Sequence, residues 1–306
     1  MKTNRRDLLK LGVAAGAAAL GPLRVGAQET SGPLMRSIPS SDVRIPAVGL
    51  GSWITFNVGD DPVLLASCAD VMEAFFAAGG TVIDSSPMYG SSQATIGYGL
   101  EKLNRSDDVF AADKVWTRDS DAGASQLELS RSRWGVPDFD LAQVHNLLAW
   151  EPHLETLFAM KQAGSLLHVG ITTSHGRRHG EMEAIMGSQP IDFVQLTYNP
   201  VDREAEERLL PMARERGIAV LVNRPFRGGS LADHLAREPL PDWATDIGAS
   251  SWAQIILKYI LSHSAVTCAI PATTRIDHVQ ENVRAASDPL PDEAMRQRIA
   301  DHIRSV

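Results

Sequence analysis

The chain has 306 residues, 44% of them hydrophobic and 22% charged, which is enough apolar material for one large core or two modest ones. Its formal net charge is −8 and no block of like charge stands out, which argues against nucleic acid or an anionic membrane surface as a partner. The composition favours a small-molecule ligand.

The stretch "TNRRDLLKLGVAAGAAALGPLRVGA" joins Arg5 and Arg6 to a small-residue apolar run from Leu11 to Leu20 and ends in Val25-Gly26-Ala27. It resembles a twin-arginine export signal, residues 1–27, with small residues at its cleavage site. A short buried or interfacial helix is the alternative. The apolar run is too short to span a bilayer, so stable membrane insertion is not expected. Cleavage would start the mature chain near Gln28 and remove five basic residues and one acidic one, taking the charge from −8 to −12. Such signals resemble those of proteins exported already folded, often with a cofactor inserted inside the cell. The expected location is the periplasm, with the twin-arginine translocation machinery as a transient partner. Cys68 and Cys268 fall on separate predicted elements and form no metal spacing, so two buried thiols are expected.

"MRSIPSSDVRIPAVGLGSW" reads as a short hairpin leading into a first strand near Ala47 to Ser52. Runs rich in Val, Ile and Leu follow at 81–86, 109–115, 139–145, 167–173, 193–198, 219–224 and 266–272. Stretches with helical spacing, such as "PVLLASCADVMEAFFAAGG" and "HLETLFAMKQAG", separate them. Short runs that are apolar on both faces suit parallel strands covered by helices. Eight strand–helix units predict an α/β fold, a (β/α)8 TIM barrel formed by residues 28–306 as one domain with a short N-terminal hairpin. An open doubly wound sheet would want GxGxxG after its first strand, and "GLGSW" holds only the first half.

Catalytic groups collect where the C-terminal ends of barrel strands form one rim. Asp84 lies near the end of the second strand, in "VIDSSPMYG", and Tyr89 stands five positions later in the following loop. Lys114 lies near the end of the third strand and His145 near the end of the fourth. A carboxylate and an ammonium are expensive to bury apart, so Asp84 and Lys114 should pair. A lysine beside a phenol favours the phenolate, so Tyr89 is expected to titrate below its reference of about 10 and to serve as proton donor and acceptor. His145 can hold a carbonyl oxygen that gains negative charge as hydride reaches its carbon. Each residue alone also reads as structural: a rim ion pair, a packing tyrosine, a satisfied core histidine. Their joint placement at three successive strand ends is the signal.

The pieces "GLGSW", "GGTVIDSSPMYG", "FAADKVW", "LAQVHN", "HVGITTSH", "DFVQLTYNP" and "IPATTRIDHVQEN" together resemble the aldo-keto reductase superfamily, from Val43 to Ala285. The resemblance implies a barrel that binds NADPH in extended form and reduces aldehydes or ketones to alcohols. Asp84, Tyr89, Lys114 and His145 fall on the family's catalytic tetrad, with Tyr89 as general acid. The Ser-Asn pair that holds the nicotinamide carboxamide is Thr172-Thr173 here, and its glutamine partner is Gln195. Asn223 and Arg224 stand where many members place an aromatic against the nicotinamide ring. The following stretch, with Pro225, Phe226, Gly228 and Leu231, matches a pyrophosphate loop. Some relatives hold the 2′-phosphate with a lysine at the place of Ala272. Thr273, Arg275, His278, Glu281 and Asn282 follow the pattern of other members, with Arg275 as phosphate partner or else a solvated loop cation. The resemblance thus favours NADP(H) over NAD(H).

Trp53, Trp116 and Asn146 follow the first, third and fourth strands and should line the substrate pocket, with Trp150 either a further wall or helix packing. Aromatic walls suit a carbonyl compound with an apolar or ring-shaped body. His175 and His179 lack a nearby Cys or paired carboxylate, so no metal site is expected. Two other functions compete. An exported cofactor-binding redox sensor or accessory module with little turnover is one, because NADPH is regenerated inside the cell. A metal-dependent barrel hydrolase is the other, disfavoured by strand ends without a His-x-His or carboxylate cluster.

Overall fold

Each helical stretch returns the chain to the same end of the sheet, so successive apolar runs pair in parallel. The computed structural model describes residues 32–306; the expected export signal lies outside the described residues. Residues 33–306 form one compact unit. The predicted hairpin is present, with β1 (Met35–Ser37) antiparallel to β2 (Arg44–Pro46). The barrel strands are β3 (Leu50–Gly51), β4 (Val82–Asp84), β5 (Phe110–Val115), β6 (Phe139–His145), β7 (Leu166–Thr172), β8 (Phe193–Thr197), β9 (Ala219–Asn223) and β10 (Cys268–Ala269). They pair in that order, all parallel. The ring is a (β/α)8 barrel.

The first and last strands are shorter than their sequence runs, because the closing seam is irregular. Val48 bridges Ala269 and Gly51 bridges Ala272, with the Gly51 N–H donating to the Pro271 carbonyl at 3.0 Å. Pro271 has no N–H to return. A Cβ on Gly51 would stand 2.8 Å from the Ile270 carbonyl oxygen, so the seam closes only on glycine.

Helices α1 (Pro62–Ala77), α2 (Ser92–Leu103), α3 (Gly123–Trp134), α4 (Trp150–Ala163), α5 (His179–Ser188), α6 (Leu209–Arg216), α7 (Ser230–Leu235), α8 (Trp252–Ser262), α9 (Ile276–Arg284) and α10 (Glu293–Ser305) connect the strands or follow the last of them. Local sequence sets their ends. The Asp61 carboxylate caps α1 by accepting from the Val63 and Leu64 N–H groups, and Pro62 occupies the first turn where no N–H is needed. None of the helices among the described residues is long and apolar enough to cross a membrane. Cys68 and Cys268 are buried and unbridged, as expected.

Strand periodicity divides the core in two. Odd and even positions face opposite sides, so Phe110 and Ala112 join Val82, Leu141, Phe193, Ala219 and Leu221 inside the barrel. Ala111, Val115, Ala142, Val144, Val194 and Leu196 face the helices. Ile38 and Ile45 of the hairpin belong to the inner cluster and close its N-terminal end. Followed toward the other end, the inward positions turn polar: Val82 gives way to Asp84, Ala112 to Lys114, Leu141 to Gln143 and His145, and Phe193 to Gln195. An apolar plug below and a polar mouth above are therefore written into alternate residues of the same strands.

Candidate active site

Asp84 and Lys114 are inward-facing neighbours on β4 and β5, and both are buried. The Lys114 ammonium donates to Asp84 Oδ2 at 2.6 Å and to the Ser85 carbonyl at 2.6 Å. Asp84 Oδ1 accepts from Gln195 Nε2 at 2.8 Å and from Gln143 Nε2 at 3.4 Å. The predicted ion pair is formed, and its spare hydrogen-bonding capacity is taken up by amides, the condition under which two buried charges are tolerated.

Tyr89 is set over this pair by the turn that follows β4, in which its N–H donates to the Ser86 carbonyl at 3.0 Å. Lys114 Nζ lies 5.2 Å from the centre of the phenol ring. The His145 ring meets Tyr89 edge-on, with centres 5.7 Å apart and planes at 86°. His145 Nδ1 is hydrogen-bonded to Ser86 Oγ at 2.8 Å, which leaves Nε2 for the cavity. Three successive strands thus bring together the four residues singled out in the sequence.

The electrostatics correct one expectation. Burial pushes the Tyr89 phenol above its ordinary value, and the opposing effect of Lys114 is offset further by the charges of Asp84 and Asp113. Burial disfavours the charged form of Lys114, yet the Asp84 charge, the Tyr89 phenolate once formed and the hydrogen bond that the ammonium donates to Asp84 outweigh this and raise its pKa. Lys114 does favour the phenolate, but burial and the charges of Asp84 and Asp113 outweigh it, so the net shift of Tyr89 is upward. His145 is pushed down to about 2 by burial first and then by Lys114 and Arg177, so its imidazole is neutral. The site holds a protonated phenol, an ammonium and a neutral imidazole.

A second polar group surrounds Gln195. Thr172 Oγ1 donates to Gln195 Oε1 at 3.0 Å, and Asn223 Nδ2 donates to the Thr173 carbonyl at 2.8 Å. Thr197 Oγ1 donates to Asn223 Oδ1 at 2.7 Å. The Thr173 hydroxyl turns instead to Met182 Sδ at 2.9 Å, so Thr173 offers no polar side-chain group to the cavity.

These residues share one cavity of about 320 Å³ at the C-terminal rim. Trp53, Ile54, Met88, Pro225 and Phe226 give it apolar walls, and Asn146, His175, Arg177, Arg224, Gly228 and Gly229 complete its rim. Trp116 is half-exposed outside it, and Trp150 packs on the helix–sheet core, as its alternative reading had it. Leu231 is buried beneath the loop. Thr273, Arg275, His278, Glu281 and Asn282 also lie outside the lining. Arg275 is exposed and paired with Asp277, while the Thr273 hydroxyl accepts from the Arg275 N–H at 3.1 Å.

The rim loops carry the backbone strain. Nine non-glycine residues among those described have positive φ, and all but Asn104 follow β3, β6, β7 or β9, including Ile54, Asn146, His175, Arg224 and Arg227. Each such residue is held there against about 1 kcal/mol or more. Arg178 is one restraint: its guanidinium donates to the Asn146 carbonyl at 2.5 Å and the Leu147 carbonyl at 3.1 Å, locking the loop after β7 to that after β6. Among the described residues no group of three or more His, Cys, Asp or Glu is placed to hold a metal ion.

Ser86, Gln143, Arg177 and Asp113 were missed in the sequence. Gln143 was legible, since it shares the inward parity of His145. Arg177 carried no local signal, because its loop has no periodicity. Asp113 has the opposite parity to Lys114 and points at the helices, where Oδ2 accepts from Gln93 Nε2 at 2.8 Å and Oδ1 from the Lys114 N–H at 2.7 Å.

Comparison with known proteins agrees with this fold. The model described as "Aldo/keto reductase family" matches residues 47–303. The chain is similar to a methylglyoxal reductase of Escherichia coli, 26% identical over 250 residues that span 79% of this chain and 86% of that protein. It is also similar to an NADH-specific methylglyoxal reductase of the same organism, 25% identical over 330 residues covering 84% and 95%. Among solved structures, an aldo/keto reductase from Klebsiella pneumoniae in complex with NADP and acetate superposes with a TM-score of 0.71 at 22% identity. That superposition covers 86% of this chain and 93% of the other. An aldo-keto reductase from Bacillus halodurans gives 0.70 at 22%, covering 88% and 96%. The structural likeness establishes the fold.

Asp113 supplies a stability test. Burial first, with Asp84 adding to it, pushes this carboxyl up to about 7, against the hydrogen bonds and the Lys114 charge that favour ionisation. Folded Asp113 therefore holds its proton more tightly than an unfolded aspartate at 3.8, and its contribution is fully present below that value and lost as pH rises through about 7. Thermal denaturation of wild type and Asp113→Asn across this window should show the variant falling less steeply with pH. Equal slopes would mean that the carboxylate ionises without penalty.

Proposed function

This chain belongs to the aldo/keto reductase family, and on that premise we propose that it is an oxidoreductase that uses NADPH to reduce aldehyde or ketone carbonyls to alcohols. The observation that carries the proposal is the buried Lys114–Asp84 pair beneath Tyr89, with neutral His145 at the edge of the phenol. As the carbonyl carbon is reduced its oxygen becomes basic, and Tyr89, kept protonated by burial, donates to it. Lys114 then stabilises the phenolate left behind, an interaction that strengthens only as the proton moves. In the tautomer whose Nδ1 accepts from the Ser86 hydroxyl, His145 carries its proton on Nε2 and can orient the carbonyl oxygen.

The chain's residues suit a nicotinamide dinucleotide. Thr172, Gln195 and Asn223 offer a hydroxyl and two amides at one side of the cavity. On the loop after β9, Gly228 and Gly229 have φ of 73° and 101°, an open backbone cradle beside the Arg224 guanidinium that fits a pyrophosphate. When bound, the cofactor supplies the hydride. Exposed Arg275, at the start of α9, is proposed to exchange Asp277 for the 2′-phosphate, which favours NADPH over NADH. The methylglyoxal reductase names of two relatives support small aldehydes as substrates. The proposed place of action is the periplasm, reached through the Arg5-Arg6 signal.

Tyr89→Phe should lower kcat by about 10³-fold or more while NADPH still binds, measured by stopped-flow turnover and by quenching of protein fluorescence. A variant that retains activity would remove Tyr89 from its role. Since the acid must be protonated and its pKa is raised, reductive kcat/KM should stay flat from about pH 6 to 9 and fall only at higher pH. Sustained NADPH consumption over many turnovers separates this function from that of a redox reporter.

Arg275→Ala should raise the KM for NADPH about tenfold relative to that for NADH. An unchanged ratio would place the 2′-phosphate elsewhere. For the export proposal, replacing Arg5 and Arg6 together by Lys should retain the precursor in the cytoplasm. In the parent protein, N-terminal sequencing should find a periplasmic form starting near Gln28; a form that still begins at Met1 would refute cleavage.

A further inference from the structure

The charges around the cavity are unbalanced. Asp84 is the sole carboxylate in its lining, and that charge is committed to Lys114. Two guanidinium groups also line it, Arg177 on the loop after β7 and Arg224 on the loop after β9. Neither has a carboxylate within ion-pair distance among the described residues. Their neighbours on the same loops do: Arg178 pairs with Glu181 at 2.6 Å and Arg227 with Asp202 at 3.2 Å. In a chain of net charge −8, two arginines lining one cavity with no ion pair of their own among the described residues make that cavity attractive to an anion.

Arg177 is aimed rather than adrift. Nε donates to the Ser174 carbonyl at 3.0 Å and one terminal nitrogen to Ser174 Oγ at 3.1 Å, which fixes the guanidinium plane and leaves the other terminal nitrogen, Nη1, without a hydrogen bond among the described residues. The Ser174 hydroxyl is tied in turn to His175 Nδ1 at 2.8 Å. The charge of Arg177 is felt at His145, where it helps hold the imidazole neutral, and at Arg224, which is pushed down by burial first and, against the opposing charge of Asp202, by Arg227 and Arg177. Arg224 belongs to the loop assigned above to the pyrophosphate. Arg177 has no such claim on it and stands on the side of His145 and Asn146.

We propose that Arg177 is a specificity-determining residue that selects a carbonyl substrate carrying a carboxylate a few bonds from the reacting carbon. It rests on the carbonyl-reductase function proposed above. The anchored guanidinium offers its unused edge to the carboxylate while the carbonyl oxygen meets Tyr89 and His145, and Trp53 covers the short apolar segment between. Arg224 adds to the attraction from the opposite loop.

The test compares succinic semialdehyde with butanal, which has the same chain length without the charge. It adds succinate, which cannot be reduced, as a binding probe in the presence of NADP. Wild type should show kcat/KM at least about tenfold higher for the semialdehyde, and Arg177→Gln should raise its KM about 10- to 100-fold relative to that for butanal. Calorimetry should detect succinate binding to wild type and its loss in Arg177→Gln, with NADPH affinity changed by less than about twofold. Turnover of butanal without succinate binding or carboxylate preference would overturn the proposal and leave the reductase function standing. Weaker NADPH binding in the variant, with both aldehydes affected alike, would also overturn it by assigning Arg177 to the cofactor. Succinate binding lost in Arg177→Gln, with neither aldehyde reduced by wild type, would uphold the anion site and sink the reductase function.

Discussion

A lysine ammonium with no exposure to water is the constraint around which the mouth of this barrel is organised. Removing such a charge from water costs several kcal/mol unless the surroundings replace its hydration. Here Asp84 and the Ser85 carbonyl do so, and Gln195 and Gln143 in turn hold the carboxylate. Loss of either charge would leave the other buried and uncompensated. The pair therefore fixes the ends of β4, β5 and β8 relative to one another, and Tyr89 and His145 are placed against that fixed point.

The same burial explains why the phenol does not become acidic at rest. Lys114 favours the phenolate, but burial opposes that charge and the carboxylates of Asp84 and Asp113 add to the opposition.

Above this rigid floor the loops are held in strained conformations by specific contacts. Ile54, a β-branched residue at φ 66°, lines the cavity, and Arg178 spends its guanidinium on backbone carbonyls of the neighbouring loop. Closure of the barrel depends equally on small detail, since the seam between β3 and β10 is too tight for a side chain at Gly51. The cavity mouth carries two arginines, Arg177 and Arg224, and the one carboxylate in its lining, Asp84, is paired with Lys114. Local and global charge differ because the acidic residues are spread over the outer surface.

Period and polarity along the chain determined the barrel, its eight strands, the N-terminal hairpin and the positions of Asp84, Lys114 and His145, because alternation in a strand assigns each residue a side before any packing is known. Sequence was silent or wrong where the outcome depended on residues far apart. The direction of the Tyr89 shift followed from how deeply its ring is buried and from the charges of Asp84 and Asp113. Thr173 turned to Met182 and Trp116 fell outside the cavity through contacts that no spacing rule encodes. Arg177 lies in a loop without period, and its relation to His145 exists only once β6 and β7 stand side by side. Side-chain parity is a local property of the chain, whereas burial, charge balance and the shape of a cavity are sums over neighbours that only the folded structure supplies.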